Sequence, residues 1–149
     1  MEKIFTELIT AFLGSVGFSI IFKLRRNLVL PASIGGLLGW FFYRIFLNCT
    51  GDIFISALLA SAITALYSQI LSRIFKAPAT LFIVPAVVPM IPGGGLYYTM
   101  SSMVQHQWHL SLKYGLSTLY FGLGIAGGLS LTLVFWNMIF QNRIIHKNK

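Results

Sequence analysis

Apolar residues fall along the chain in blocks of membrane-spanning length, separated by short polar turns. Residues 4–22 form the first block, 19 residues in which Glu7 is the sole charge, near the start. A helix crossing the hydrocarbon core needs about 20 such residues. The basic turn Lys23-Leu24-Arg25-Arg26-Asn27 follows, and a second block covers 28–47. Arg44 falls in the last turn of that block, where a guanidinium can snorkel to the headgroups. Asn48-Cys49-Thr50-Gly51-Asp52 is a polar turn whose Asp52 suits the N-terminus of the next helix. The third block, 53–72, ends at Arg73 and Lys76.

The pattern then changes. No Asp, Glu, Lys or Arg occurs between Lys76 and Lys113. Residues 77–91 are strongly apolar but would rise only about 22 Å as a helix, and Pro85, Pro89 and Pro92 interrupt or end them. Gly93-Gly94-Gly95 open a second short piece, 93–104, which fades into Gln105-His106-Gln107-Trp108-His109. The last block, 114–140, is long and glycine-rich, and the tail 142–149 is basic and polar.

Composition makes this a membrane pattern. Charged residues are 9% of the chain, against about 25% in a soluble domain, and 56% are hydrophobic, with a mean hydropathy of +0.80. The net charge of +8 is no nucleic-acid signal, because the few cations sit between apolar runs rather than in basic patches. They set an orientation instead. With 77–91 crossing and 93–104 re-entrant, Lys23, Arg25, Arg26, Arg73, Lys76, Arg143, Lys147 and Lys149 share one side. Lys3 and Lys113 fall on the other, with Arg44 at that interface. The expected fold is an all-α integral membrane protein forming a single membrane domain over residues 1–149. It has about five transmembrane helices plus a short re-entrant or broken helix, the N-terminus outside and the C-terminus inside. The N-terminus lacks the net-positive region and cleavage site of a signal peptide and reads as an uncleaved first span.

No catalytic constellation is visible. The three carboxylates are scattered, and His106 and His109 without acidic or thiol partners read as interfacial polar residues. Cys49 has no partner for a disulfide. Neither an enzyme, a metal nor a cofactor is expected. The chemistry points instead to Pro89, Pro92, Gly93, Gly94, Gly95, Tyr97 and Tyr98. Interrupted membrane helices are the best sequence pointer to a transport site, since unwound backbone is tolerated only inside protein or along a wet cavity. A helix restarting near Gly94 would offer free N–H groups to an anion, and Tyr97 and Tyr98 hydroxyl donors. The same pattern also fits a proline-rich loop between packed helices. Gly35-xxx-Gly39 and Gly124-xxx-Gly128 place small residues on one helix face for close packing, within the chain or against a partner. Trp40, Tyr43, Trp108 and Trp136 read as interfacial belt residues. Mid-membrane positions show no ionisable residue, so coupling would fall to another subunit.

The segment 78–98 resembles the threonine/serine exporter (ThrE) family, in its C-terminal half and the stand-alone small subunits like it. The matching features are the basic turn after the first span, Pro78-Ala79-Thr80, and a proline-punctuated run from Pro85 to Pro92-Gly93, continued by Gly94 and Tyr97. Where a typical relative reads Pro-Leu-Val-Pro-Gly, this chain has Pro89-Met90-Ile91-Pro92-Gly93. The resemblance implies the small subunit of a secondary exporter in the cell membrane. It would act with a larger ThrE-like subunit on small carboxylate substrates, threonine and serine or a dicarboxylate such as succinate. The Gly-xxx-Gly faces would then meet that partner. The alternatives are an assembly subunit without its own transport path and a homo-oligomeric channel.

Overall fold

The computed structural model describes residues 2–147, with side chains for residues 4–139. The described residues form α1 (Glu2–Ile21), α2 (Arg26–Thr50), α3 (Ile53–Ile74), α4 (Thr80–Val87), α5 (Gly93–Val104) and α6 (Trp108–Lys147), with a 3₁₀ turn, Val88–Met90, joining α4 to α5. α1, α2, α3 and α6 are each long and apolar enough to cross a membrane. Thr80–Met90 and Gly93–Val104 pass the same test together, bent by 46°. Of the cations used for orientation, Lys3, Arg143, Lys147 and Lys149 lie outside the described side chains.

Local chemistry sets the boundaries. Gly51 closes α2 at φ 69°, its N–H bonding the Leu47 carbonyl. Asp52 then caps α3, its Oδ1 accepting from the amides of Phe54 (2.7 Å) and Ile55 (3.3 Å). α4 begins at Thr80, past Pro78, while Ser72 donates to the Ala77 carbonyl at 2.6 Å to hold the turn. α6 starts at Trp108, well before the expected 114, because Gln107 accepts from the Ser111 amide at 3.0 Å.

Four turns carry one residue each in the left-handed region: Lys23 (φ 52°), Gly51 (69°), Lys76 (49°) and His106 (58°). They separate α1 from α2, α2 from α3, α3 from α4, and α5 from α6, and the α4–α5 junction has none. The packing register agrees. Glu7 meets Arg44, and Ser15 lies against Gly36, so α1 and α2 are antiparallel. Gly39 faces Thr64 and Gly35 faces Tyr67, so α2 and α3 are antiparallel too. Gly35 against Ala86 and Gly39 against Met90 make α2 parallel to α4. Gly124 against Phe54 and Ala57, with Thr132 near Ala62, makes α6 parallel to α3. Gly95 meets Thr118 and Ser111 bonds Thr99, so α5 opposes α6. It follows that α4 and α5 run in one sense. The 93–104 segment, expected as re-entrant, continues the direction of α4 through a bend.

The interior is small and polar rather than leucine-rich. Ala32, Ala57, Ala60 and Ala65 are fully buried, as are Ser19, Ser33, Thr64 and Ser68. Each of these hydroxyls donates to the carbonyl one turn back in its own helix, at 2.7–2.9 Å. With no water at hand, back-bonding satisfies them. Small residues let backbones approach, the main source of helix affinity where lipid is as apolar as leucine. Gly35, Gly39, Gly124 and Gly128 are therefore spent on contacts within the chain, the first of the two uses expected of them, rather than on the partner that the family resemblance implied.

Two outcomes follow. Gly128→Ala presses a methyl onto the Leu58 carbonyl and Ser61, and lowers stability in micelles by about 1–3 kcal/mol. Gly14→Ala, with nothing near its added carbon, stays within about 1 kcal/mol of the parent. Exposed Cys49 sits at the Gly51 end of α2. A membrane-impermeant maleimide therefore labels it from the side opposite to that labelling Lys23→Cys or Lys76→Cys in a Cys49→Ala background.

Candidate functional site: the broken segment between α4 and α5

Three prolines shape the break by removing hydrogen-bond donors. Pro92 leaves the Val88 carbonyl without an amide four residues on, and Ile91 N–H takes its place at 3.1 Å, tightening the chain into the 3₁₀ turn. Pro89 likewise leaves the Pro85 carbonyl without its helical donor. That carbonyl accepts instead from the Ser15 hydroxyl of α1 at 2.9 Å. Ser15 and Pro85 are fully buried, and a side chain at Gly36 would collide with the Ser15 hydroxyl. One hydrogen bond thus pins the broken segment to α1 across a bare glycine of α2.

Beyond the break, α5 opens on Pro92 with no side-chain cap. Gly93 N–H bonds the Ile91 carbonyl at 2.7 Å. Gly94 and Gly95 follow in the first turn, where a helix supplies no acceptors of its own. These residues border a cavity of about 330 Å³, lined by Trp40 and Tyr43 of α2, Ile53 of α3, Met90 to Gly95, and Ser117, Thr118 and Phe121 of α6. Thr80–Met90 rises about 16 Å as a helix, a length equal to about half the thickness of a bilayer core. The cavity walls hold hydroxyls and backbone but no charged side chain. An anion there would meet helix N–H groups and the positive end of the α5 dipole.

The expected site residues divide. Pro92, Gly93, Gly94 and Gly95 line this cavity together. An added carbon at Gly93 or Gly94 meets nothing within 4 Å, whereas at Gly95 it meets Thr118. Pro89 faces the other way, onto a cavity of about 230 Å³ with Glu7, Thr10, Ala11, Gly14 and Trp40. Tyr97 and Tyr98 are 67% and 55% exposed and turn away from both cavities; Tyr98 lies by Tyr114, ring centroids 5.5 Å apart. Among the described residues α5 packs on α6 alone.

Some residues escape sequence reasoning. Trp40 and Tyr43, read as belt residues, line the larger cavity. Nothing in the sequence singles out Ser15, Ser117 or Thr118. Arg44 does not snorkel freely: its Nε lies 3.1 Å from Glu7 Oε2, which also accepts from the Trp40 indole N–H at 3.2 Å. That Nε is buried and makes no aligned hydrogen bond, so the contact is electrostatic. Among the described residues no cluster of His, Cys, Asp or Glu is set to hold a metal ion.

Long apolar helices, small-residue seams and a helix pair bent by 46° are the features of an all-helical integral membrane protein. The family model described as "Threonine/Serine exporter, ThrE" matches residues 7–135. The chain belongs to this family of membrane exporters. An uncharacterized protein of Haemophilus influenzae is 29% identical over 105 residues, which are 70% of this chain and 35% of the relative. The chain thus spans about a third of that relative's length. No solved structure matches it.

The Ser15 bond can be tested against its cause. Ser15→Ala leaves the Pro85 carbonyl unpaired and lowers unfolding stability by about 1–2 kcal/mol. Adding Pro89→Ala restores a helical donor, and the double variant recovers most of the loss.

Proposed function

We propose that the chain is the small subunit of a secondary exporter for small carboxylate-bearing metabolites, threonine and serine or a dicarboxylate such as succinate. A larger ThrE-like membrane subunit completes the transporter. The observation that carries this reading is the α5 N-terminus, with Gly94 and Gly95 opening onto a cavity of about 330 Å³. Glycine there lets a carboxylate reach the backbone, and the cavity is roomy enough for an amino acid or a four-carbon diacid. Tyr97 and Tyr98, on the outer side of α5, serve the subunit contact rather than the solute.

In this reading the bent pair counts as one crossing, giving five, with the N-terminus outside and the C-terminus inside. Lys23, Arg25, Arg26, Arg73 and Lys76, at one end of the bundle, face the cytoplasm. The membrane is the plasma or inner membrane of the cell. α5 touches only α6 and exposes Leu96, Met100 and Val104; the larger subunit covers this side and closes the cavity.

Gly94→Val tests the site, because the added carbons enter open space rather than a helix seam. The variant inserts at parental levels, and its export of preloaded threonine, serine or succinate from cells with the companion subunit falls at least about tenfold. Parental efflux from the well-inserted variant rejects the site. Parallel loss of complex and efflux marks an assembly subunit, and flux through the purified chain alone a channel.

A further inference from the structure

One charged feature stands outside the cavity at the α5 N-terminus. Arg44 lies six residues before the end of α2, about 9 Å along the helix. Its Nε is buried, and a buried charge depends on protein partners for what it loses in hydration. Arg44 Nε and the Trp40 indole N–H, at 3.1 and 3.2 Å, both approach a single carboxylate oxygen, Glu7 Oε2. The two donors stand four residues apart on one face of α2, so the helix itself fixes their spacing. The carboxylate comes from a different helix, α1, the least buried of the four long ones. Buried Arg44 Nε lacks an aligned hydrogen bond even so.

This arrangement is a carboxylate-binding pair holding one of the protein's own carboxylates. Two of the three side chains reach open space. Glu7 and Trp40 line the cavity of about 230 Å³ beside Pro89, and Trp40 lines the larger cavity as well. The indole is therefore common to both spaces and ties the ion pair to the broken segment.

We infer that Arg44 and Trp40 form a second binding point for the carboxylate of the transported solute, closed in this conformation by Glu7, which the solute displaces. The inference rests on the carboxylate-export reading and adds a cationic anchor to it. Glu7 acts as a tethered competitor, and its removal strengthens binding of a free carboxylate.

Equilibrium dialysis of labelled L-threonine and succinate against the full chain assembled with its companion subunit tests this, in nanodiscs of phosphatidylethanolamine and phosphatidylglycerol. Glu7→Gln lowers the half-saturating threonine concentration about fivefold. Arg44→Gln raises it at least about tenfold, and Arg44→Lys falls between. Thermal unfolding of each variant, read separately, shows that it remains folded. Threonine binding unchanged in both the Glu7 and Arg44 variants overturns the inference and leaves the export reading standing. Equal weakening by Glu7→Gln and Arg44→Gln also overturns it, since Glu7 is then a support and not a competitor. Absence of threonine and succinate binding in the parent and every variant overturns the export reading with it.

Discussion

A backbone carbonyl in hydrocarbon must find a donor inside the protein, and the carbonyl of Pro85 is where this fold meets that demand most tightly. Pro89 removes the helical donor, and the Ser15 hydroxyl replaces it. For Ser15 to reach, α1 must lie close to the broken segment across α2, which only a bare Gly36 permits. The position of α1, the groove beside Pro89 and the Glu7–Arg44 contact all follow from that approach. The break is thus a fixed element of the interior, anchored on its α4 side and open on its α5 side.

The asymmetry between those two sides organises the molecule. α4 and the 3₁₀ turn are wedged against α2, with Phe82, Pro85 and Met90 fully buried. Among the described residues α5 is held by α6 alone, through Gly95 against Thr118 and Gly115 against Thr99. The proposed binding surface of backbone amides would draw on this combination, a rigid α4 to place the amides and an open α5 to let a solute reach them.

The spans were legible because a bilayer permits so few alternatives: about 20 apolar residues between polar turns leave little but a helix. The break was legible too, since three prolines and three glycines within eleven positions (Pro85 to Gly95) cannot continue an α-helix. Which way each residue faces was not. A segment this short has no reliable period, so Pro89 and Tyr97 read as neighbours of Gly94 yet point elsewhere. The Glu7–Arg44 pair was hidden because each residue sits near a helix end, where a lone charge reads as interfacial, and only tertiary packing joins them. Likewise the glycine motifs announced close packing without naming a partner; the answer, α3 and the broken segment, depends on the parallel register of α3 with α6 and of α2 with α4.

The 40-residue α6 belongs to two neighbourhoods at once. Its middle, at Gly124 and Gly128, is pressed against the backbone of α3, while its earlier turns carry α5. A continuous helix of this length behaves as a stiff rod about 60 Å long. Gripped at its middle, it is a lever whose fulcrum is the α3 seam. A tilt of α6 about that seam would carry α5 with it and change the width of the cavity mouth, with no change of secondary structure. The glycines of α6 thus fix the one place where the helix is held closest.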